Sequence, residues 1–84
     1  MSMRPRQIIS QLLSECDIRI NGDAPHDIRV SNEDFYARAL LNGSLGLGES
    51  YMDGWWEAED LDGFIYRLIS GQIDERLWSW RKLA

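Results

Sequence analysis

The first apolar pattern along the chain has the spacing of one face of a helix. Its members recur every three or four residues: Ile8, Ile9, Leu12, Leu13 and Cys16. Pro5 stands where such a helix would begin, and proline suits the first turn because an N–H group there has no partner within the helix. The spacing therefore predicts a helix from about residue 5 to residue 16.

Two short segments then alternate polar and apolar residues, which is typical of strands with one buried face. They comprise residues 17–21 and 27–31, and the link between them, Asn21-Gly22-Asp23-Ala24-Pro25, has the composition of a turn. The alternation predicts a hairpin whose loop is longer than the tightest kind.

The middle of the chain predicts a helix that ends at a glycine. Ser31, with Asp34 three residues later, resembles a capping box in which aspartate replaces the usual glutamate or glutamine. An apolar stripe follows: Phe35, Tyr36, Ala39 and Leu40. Asn42-Gly43 is a good helix stop, and a short helix or turn is expected from Leu47 to Met52.

A third strand and two further helices are predicted in the rest of the chain. Residues 55–59 are the predicted third strand, in which Trp56 and Ala58 would face the same side. Asp60 is a good N-cap for the amphipathic helix that follows and ends at Gly71: Leu61, Phe64, Ile65, Leu68 and Ile69. Residues 74–83 predict the last helix, with an apolar face that leaves Trp78 exposed: Ile73, Leu77 and Trp80.

Together these elements predict an α+β fold, a small antiparallel sheet of two or three strands packed with four or five helices. The 84 residues contain no linker, repeat or low-complexity tract, so residues 1–84 are expected to form a single domain. Nine basic against fourteen acidic residues give a net charge of −5. This charge argues against nucleic acid as a partner and provides no long-range attraction to an anionic membrane.

Several functional classes find no support in the residues. Cys16 is the only cysteine, so no disulfide can form within the chain, and it is expected to be a small buried apolar residue. No apolar run approaches the roughly 18–20 residues of a spanning helix, and the basic residues 1–6 do not begin a signal peptide. A cytoplasmic location is therefore expected.

Catalytic and metal sites are not predicted either. The acidic residues between Glu49 and Asp62 do not have the spacing of a calcium loop, and they are expected to form a solvated face. His26 is the only histidine, and it lies in a predicted turn without a nucleophile beside it. We expect no catalytic residue, cofactor site or metal ligand set in this chain.

The segment from Gly43 to Glu57 combines four glycines with aromatic and apolar side chains. The glycines at 43, 46 and 48 do not have the spacing of a dinucleotide-binding loop, and they are interpreted as a helix stop and a tight turn, or as a hinge. Six residues are the candidates for contact with lipid or a partner: Leu45, Leu47, Tyr51, Met52, Trp55 and Trp56. The alternative is that most of them form the core. Because adjacent residues of a strand point to opposite faces, one of the two tryptophans is expected to face outward.

The C-terminal helix carries a second group of candidates for contact with lipid or a partner. Basic residues alternate there with tryptophan, a combination typical of the membrane interface: Arg76, Trp78, Arg81 and Lys82. The alternative is a helix that packs on this domain or on a neighbouring one.

The segment Gly43–Trp56 reads G-S-L-G-L-G-E-S-Y-M-D-G-W-W and resembles a signature near the N-terminus of cyclopropane-fatty-acyl-phospholipid synthases. The resemblance covers roughly residues 7 to 71 and includes further segments on both sides: Ile20-Asn21-Gly22, Ala24-Pro25, Asp27-Ile28-Arg29-Val30, Asp34-Phe35 and Leu61-Asp62. Residues 71–84 depart from the family pattern. A weaker resemblance, over about thirty residues, links the chain to sterol-carrier-protein lipid-binding domains: Ser31 or Asn32, Asp34, Phe35, Gly43, Tyr51, Met52 and Gly54.

The resemblance implies an N-terminal domain of an S-adenosylmethionine-dependent methyltransferase that transfers a methylene group to unsaturated phospholipid acyl chains. The family's catalytic domain follows the matched region, with its S-adenosylmethionine and bicarbonate sites, so this chain is expected to be a truncated form that is inactive alone. The implied partners are phospholipid or a membrane surface, the catalytic domain and a second copy in a homodimer, with peripheral association at the inner membrane. The alternative is a protein-interaction or dimerisation module without affinity for lipid.

Overall fold

A computed structural model describes residues 3–83 of the protein, and its elements follow one another as helix, strand, helix, strand, helix, helix. They are α1 (Pro5–Glu15), β1 (Ile28–Val30), α2 (Asp34–Met52), β2 (Trp56–Ala58), α3 (Leu61–Ser70) and α4 (Ile73–Leu83). Two antiparallel strands and four helices make this an α+β domain, which confirms the predicted fold class.

Helix α1 forms as predicted, with Pro5 in its first turn. The Gln7 side chain accepts a hydrogen bond from the Arg4 N–H at 2.9 Å, which satisfies a donor that the helix itself cannot pair. The predicted apolar face is buried: Ile8, Ile9, Leu12, Leu13 and Cys16.

The predicted hairpin of residues 17–21 and 27–31 is wrong. Ile20 makes only an isolated parallel bridge to Ile28, and β1 pairs with β2 instead, with Val30 opposite Trp56. The reason lies in the Asp27 carboxylate, which accepts hydrogen bonds from the N–H groups of Arg19 at 2.8 Å and Ala24 at 3.0 Å. These bonds fold the intervening residues into a compact loop. The alternation of polar and apolar residues in 17–21 therefore reflects the burial of Ile18, although these residues do not form a strand.

The capping prediction for Ser31 is also wrong. The Asn32 side-chain oxygen accepts a hydrogen bond from the Asp34 N–H at 2.9 Å, whereas the Ser31 hydroxyl lies 3.2 Å from the carbonyl oxygens of Gly54 and Trp55. Ser31 thus ties the start of α2 to the entry of β2. Its N–H adds a backbone bond of 2.9 Å to Trp55.

Helix α2 is interrupted at Gly43, where φ is 59° and ψ is −133°. The predicted stop at Asn42-Gly43 is thus found as a break, but helical residues resume at once instead of at Leu47. Asp74 of α4 explains the restart, because its carboxylate accepts hydrogen bonds from the Ser44 N–H at 2.8 Å and the Ser44 hydroxyl at 2.7 Å. It therefore caps the second half of α2 from a neighbouring helix.

The other side of the break is also held by α4. The Arg81 guanidinium donates to the carbonyl oxygens of Leu40 and Leu41, the second at 2.6 Å. Carbonyls at a helix end lack intrahelical donors, and a cation there also interacts favourably with the helix dipole. Helix α4 thus joins the two halves of α2 through one acidic and one basic side chain.

The C-terminal elements follow the predictions. Asp60 caps α3 by accepting a hydrogen bond from the Gly63 N–H at 3.0 Å. On α4, Ile73 and Leu77 are buried, and Trp78 is 62% exposed, as its position on the helix predicted. Aromatic rings fill the centre of the domain, where Trp56 lies 4.8 Å from Phe64 and 6.5 Å from Phe35 between ring centroids.

The break in α2 generates a prediction for Gly43→Ala. Its Cβ would lie 2.5 Å from the Asp74 carboxylate, in a backbone conformation that favours glycine, so we expect the free energy of unfolding to fall by about 1–3 kcal/mol. Gly48→Ala is the matched control, because its added Cβ would meet nothing within 4 Å apart from the local backbone of its own helix. In the helix it should raise stability by about 0.5–1 kcal/mol. Urea denaturation of both variants measures the difference, and equal stability would contradict the assigned role of Gly43.

Candidate functional site

An open apolar groove of about 590 Å³ lies between the second half of α2, α3 and the start of α4, and we call it the main groove. Its lining residues are Ser44, Leu47, Gly48, Tyr51, Trp56, Leu61, Phe64, Ile65, Leu68, Ile69, Gln72, Ile73, Asp74 and Glu75. The volume falls within the range of about 300–1,000 Å³ that is typical of small-molecule sites.

The floor and the rim of the main groove differ in exposure. The floor belongs to the core, with Leu47, Trp56 and Phe64 all at most 5% exposed. The rim is open to solvent, because Ile65 is 42% exposed and Ile69 is 72% exposed. Large apolar side chains that stand together at the mouth of a groove mark a binding surface more often than scattered ones do.

The rim exists because the apolar stripe of α3 is wider than the part of this helix that packs against the rest of the domain. Phe64 and Leu68 pack inward, while Ile65 and Ile69, each one position further along the helix, remain on the open side. The helical spacing placed both isoleucines on the apolar face of α3, and neither is among the contact residues predicted from the sequence. The breadth of this stripe was the signal that could have identified them.

The charges around the main groove are acidic. Asp74 and Glu75 lie at the end formed by α4, and no lysine or arginine belongs to the lining within residues 3–83. Asp74 is already bound to Ser44. An anionic group at this end would meet repulsion without a compensating cation.

A second groove, which we call the side groove, has a volume of about 580 Å³. It is lined by Arg29, Val30, Ser31, Tyr51, Met52, Gly54, Trp56 and Glu57. Tyr51 and Trp56 line both grooves, with their ring centroids 5.0 Å apart. The side groove adds a cation, Arg29, whose Nε lies 3.3 Å from the Glu57 carboxylate.

The two adjacent tryptophans differ in environment, with Trp56 at the start of β2 and Trp55 just before the strand. Trp56 is buried, and its indole N–H donates to the Leu47 carbonyl at 2.9 Å. Trp55 is half-buried against the edge of the core, with the Arg38 guanidinium 4.1 Å from its ring centroid. Arg38 in turn pairs with Asp53 at 2.6 Å, so Trp55 lies under a fixed cation.

The other candidates of the glycine-rich segment are divided between the grooves and the open surface. Leu47 lies in the floor of the main groove, Tyr51 is 44% exposed between the two grooves, and Met52 lines the side groove. Leu45 is exposed but lines neither groove.

The basic candidates of α4 do not converge on one site. Arg76 pairs with Glu15 at 3.1 Å and donates to the Gly71 carbonyl at 2.5 Å, while Arg81 binds the end of the first half of α2. Lys82 is exposed. Two of the three cations therefore have structural partners, and Trp78 stands on this helix without lining either groove.

Other chemistry is not assembled in the part of the chain that the structure describes. Within residues 3–83, no three metal-ligating side chains come together, and no helix is both long and apolar enough to cross a membrane. Burial raises the pKa of the Cys16 thiol, although Arg76 nearby partly opposes this effect. A buried thiol of raised pKa is a poor nucleophile.

Comparisons with known proteins give a partial match. No protein-family model matches this chain. Two curated proteins named cyclopropane-fatty-acyl-phospholipid synthase, from Escherichia coli strains K12 and O6:H1, are each 54% identical to it over 71 residues. The match covers 84% of this chain and 19% of the length of either relative. The chain is therefore homologous to the N-terminal part of these synthases.

The different positions of the tryptophans generate a stability prediction. Trp56→Ala should lower the free energy of unfolding by about 3–5 kcal/mol, because it removes a buried aromatic from the core. Trp78→Ala, at a position that is 62% exposed, should change it by less than about 0.5 kcal/mol. Urea denaturation followed by circular dichroism compares the two variants, and a large loss for Trp78→Ala would show that α4 packs differently.

Proposed function

We propose that this homologue of the N-terminal part of cyclopropane-fatty-acyl-phospholipid synthases is a lipid-engaging domain that binds a phospholipid acyl chain in its main groove. In a full synthase, the domain would also dock onto the catalytic part, which transfers a methylene group from S-adenosylmethionine to unsaturated acyl chains. The observation that carries the lipid proposal is the open apolar groove with the exposed Ile65 and Ile69 at its rim.

The energetics favour a hydrocarbon ligand. Each methylene group that leaves water for an apolar surface contributes about 0.8 kcal/mol, and the groove offers buried rings and aliphatic side chains along its floor. The ligand would also cover Ile65 and Ile69, which the domain itself leaves in water. The binding free energy would therefore come both from burial of the acyl chain and from burial of these two isoleucines.

The character of the rim supports an interfacial position. Tyr51 combines an apolar ring with a hydroxyl group and is 44% exposed at the edge of the groove. Such side chains suit the boundary between hydrocarbon and water. The net charge of −5 means that the attraction would be apolar, and binding to neutral vesicles should depend only weakly on salt.

A docking surface for another protein domain is the second candidate, and a separate observation favours it. Leu41 and Trp78 are 70% and 62% exposed and lie outside both grooves. They belong to two helices joined by the Arg81 contact with the Leu41 carbonyl. Tryptophan is enriched at protein interfaces, so the exposed Trp78 favours this second function. The two functions could therefore use different faces of the domain.

The lipid proposal is tested by Ile69→Glu in a vesicle-binding experiment. The unaltered chain should bind zwitterionic vesicles of unsaturated phosphatidylcholine in a flotation assay. Ile69→Glu should weaken this binding at least about tenfold, because a charge at the rim must be desolvated when the acyl chain enters. The position is 72% exposed, so the fold should be retained.

Tyr66→Glu is the matched control for this experiment. Tyr66 lies on the same helix and is 68% exposed, but it does not line either groove. It should bind vesicles like the unaltered chain. Equal loss in both variants, or no binding by the folded unaltered chain, would contradict a lipid site in the main groove.

A further inference from the structure

We propose that the side groove is a head-group subsite, in which Arg29 binds the phosphate of a phospholipid whose acyl chain occupies the main groove. This inference rests on the proposed function and adds an orientation for the ligand. It assigns the phosphate to the β1–β2 end of the domain and the hydrocarbon to the α3–α4 side.

The two grooves share two aromatic lining residues. Tyr51 and Trp56 belong to the lining of both, and their ring centroids lie 5.0 Å apart. Trp56 is fixed by its indole hydrogen bond to the Leu47 carbonyl, whereas Tyr51 is partly exposed. A ligand that spans both grooves would therefore cross a boundary made of one fixed and one accessible ring.

The distribution of charge distinguishes the two ends. Among the described residues that line either groove, Arg29 is the only lysine or arginine. The far end of the main groove instead carries Asp74 and Glu75. A phosphate is attracted to Arg29 and repelled at the α4 end, so the charges favour one orientation of an amphiphile over the reverse.

The state of Arg29 suits a phosphate ligand. Arg29 lies opposite Glu57 in the pairing of β1 with β2. Only the Nε atom of Arg29 lies near the Glu57 carboxylate, at 3.3 Å. Within residues 3–83, its two terminal nitrogens make no hydrogen bond to the protein. The side chain is 64% exposed, and a guanidinium fork can bind two phosphate oxygens at once. Because exposed ion pairs contribute little, the Glu57 contact is a weak competitor.

The test compares two amphiphiles that share a twelve-carbon chain and differ in the head group. Dodecylphosphocholine contains a phosphate, and dodecyl maltoside does not. Binding of each, below its micelle concentration, is measured by calorimetry on the 84-residue chain and on Arg29→Gln. We expect Arg29→Gln to weaken binding of dodecylphosphocholine about tenfold and to leave binding of dodecyl maltoside unchanged.

Arg6→Gln is the matched control. Arg6 also forms an exposed ion pair with a glutamate, 3.2 Å from Glu33, but it lines neither groove. It should bind both amphiphiles normally. An Arg29→Gln variant that binds both normally, or loses both equally, would overturn the head-group subsite and leave the acyl site standing. Failure of the unaltered chain to bind either amphiphile would overturn both proposals.

Discussion

The domain depends on how α4 holds the break in α2. At Gly43 the helix loses its internal hydrogen bonds, and α4 supplies the missing partners, an Asp74 carboxylate for Ser44 and an Arg81 guanidinium for the Leu41 carbonyl. A break without such partners would leave polar backbone groups unsatisfied. Because α4 fixes both halves, residues 44–52 are held in place and provide one wall of the main groove.

The aromatic core explains why this groove is open and apolar. The indole N–H of Trp56 donates to the Leu47 carbonyl, and its rings pack against Phe35 and Phe64. The core is therefore complete without the outer residues of α3. Ile65 and Ile69 are therefore left in water by a domain that has no further element to cover them in its described part. The uncovered apolar side chains favour a hydrocarbon ligand in the main groove. The net charge of −5 disfavours an anionic ligand there.

Much of the fold could be predicted from the sequence because local patterns decided it. The apolar spacing of α1 and α3, the cap at Asp60 and the exposed position of Trp78 each depend on a few neighbouring residues. The hairpin prediction failed because the Asp27 carboxylate, eight residues from Arg19, accepts the Arg19 N–H hydrogen bond that a strand would have used for pairing.

The candidate site was less accessible to sequence reasoning. Leu47, Tyr51 and Trp56 were named as candidates, and they do line the main groove. The rim of α3 was missed because exposure depends on what packs against a helix, and periodicity alone does not report it. The most direct measurement is nitroxide-induced broadening of backbone amide signals by phospholipid labelled in its acyl chain. The lipid proposal predicts broadening at Leu47, Ile65 and Ile69, whereas broadening confined to Leu41 and Trp78 would contradict it.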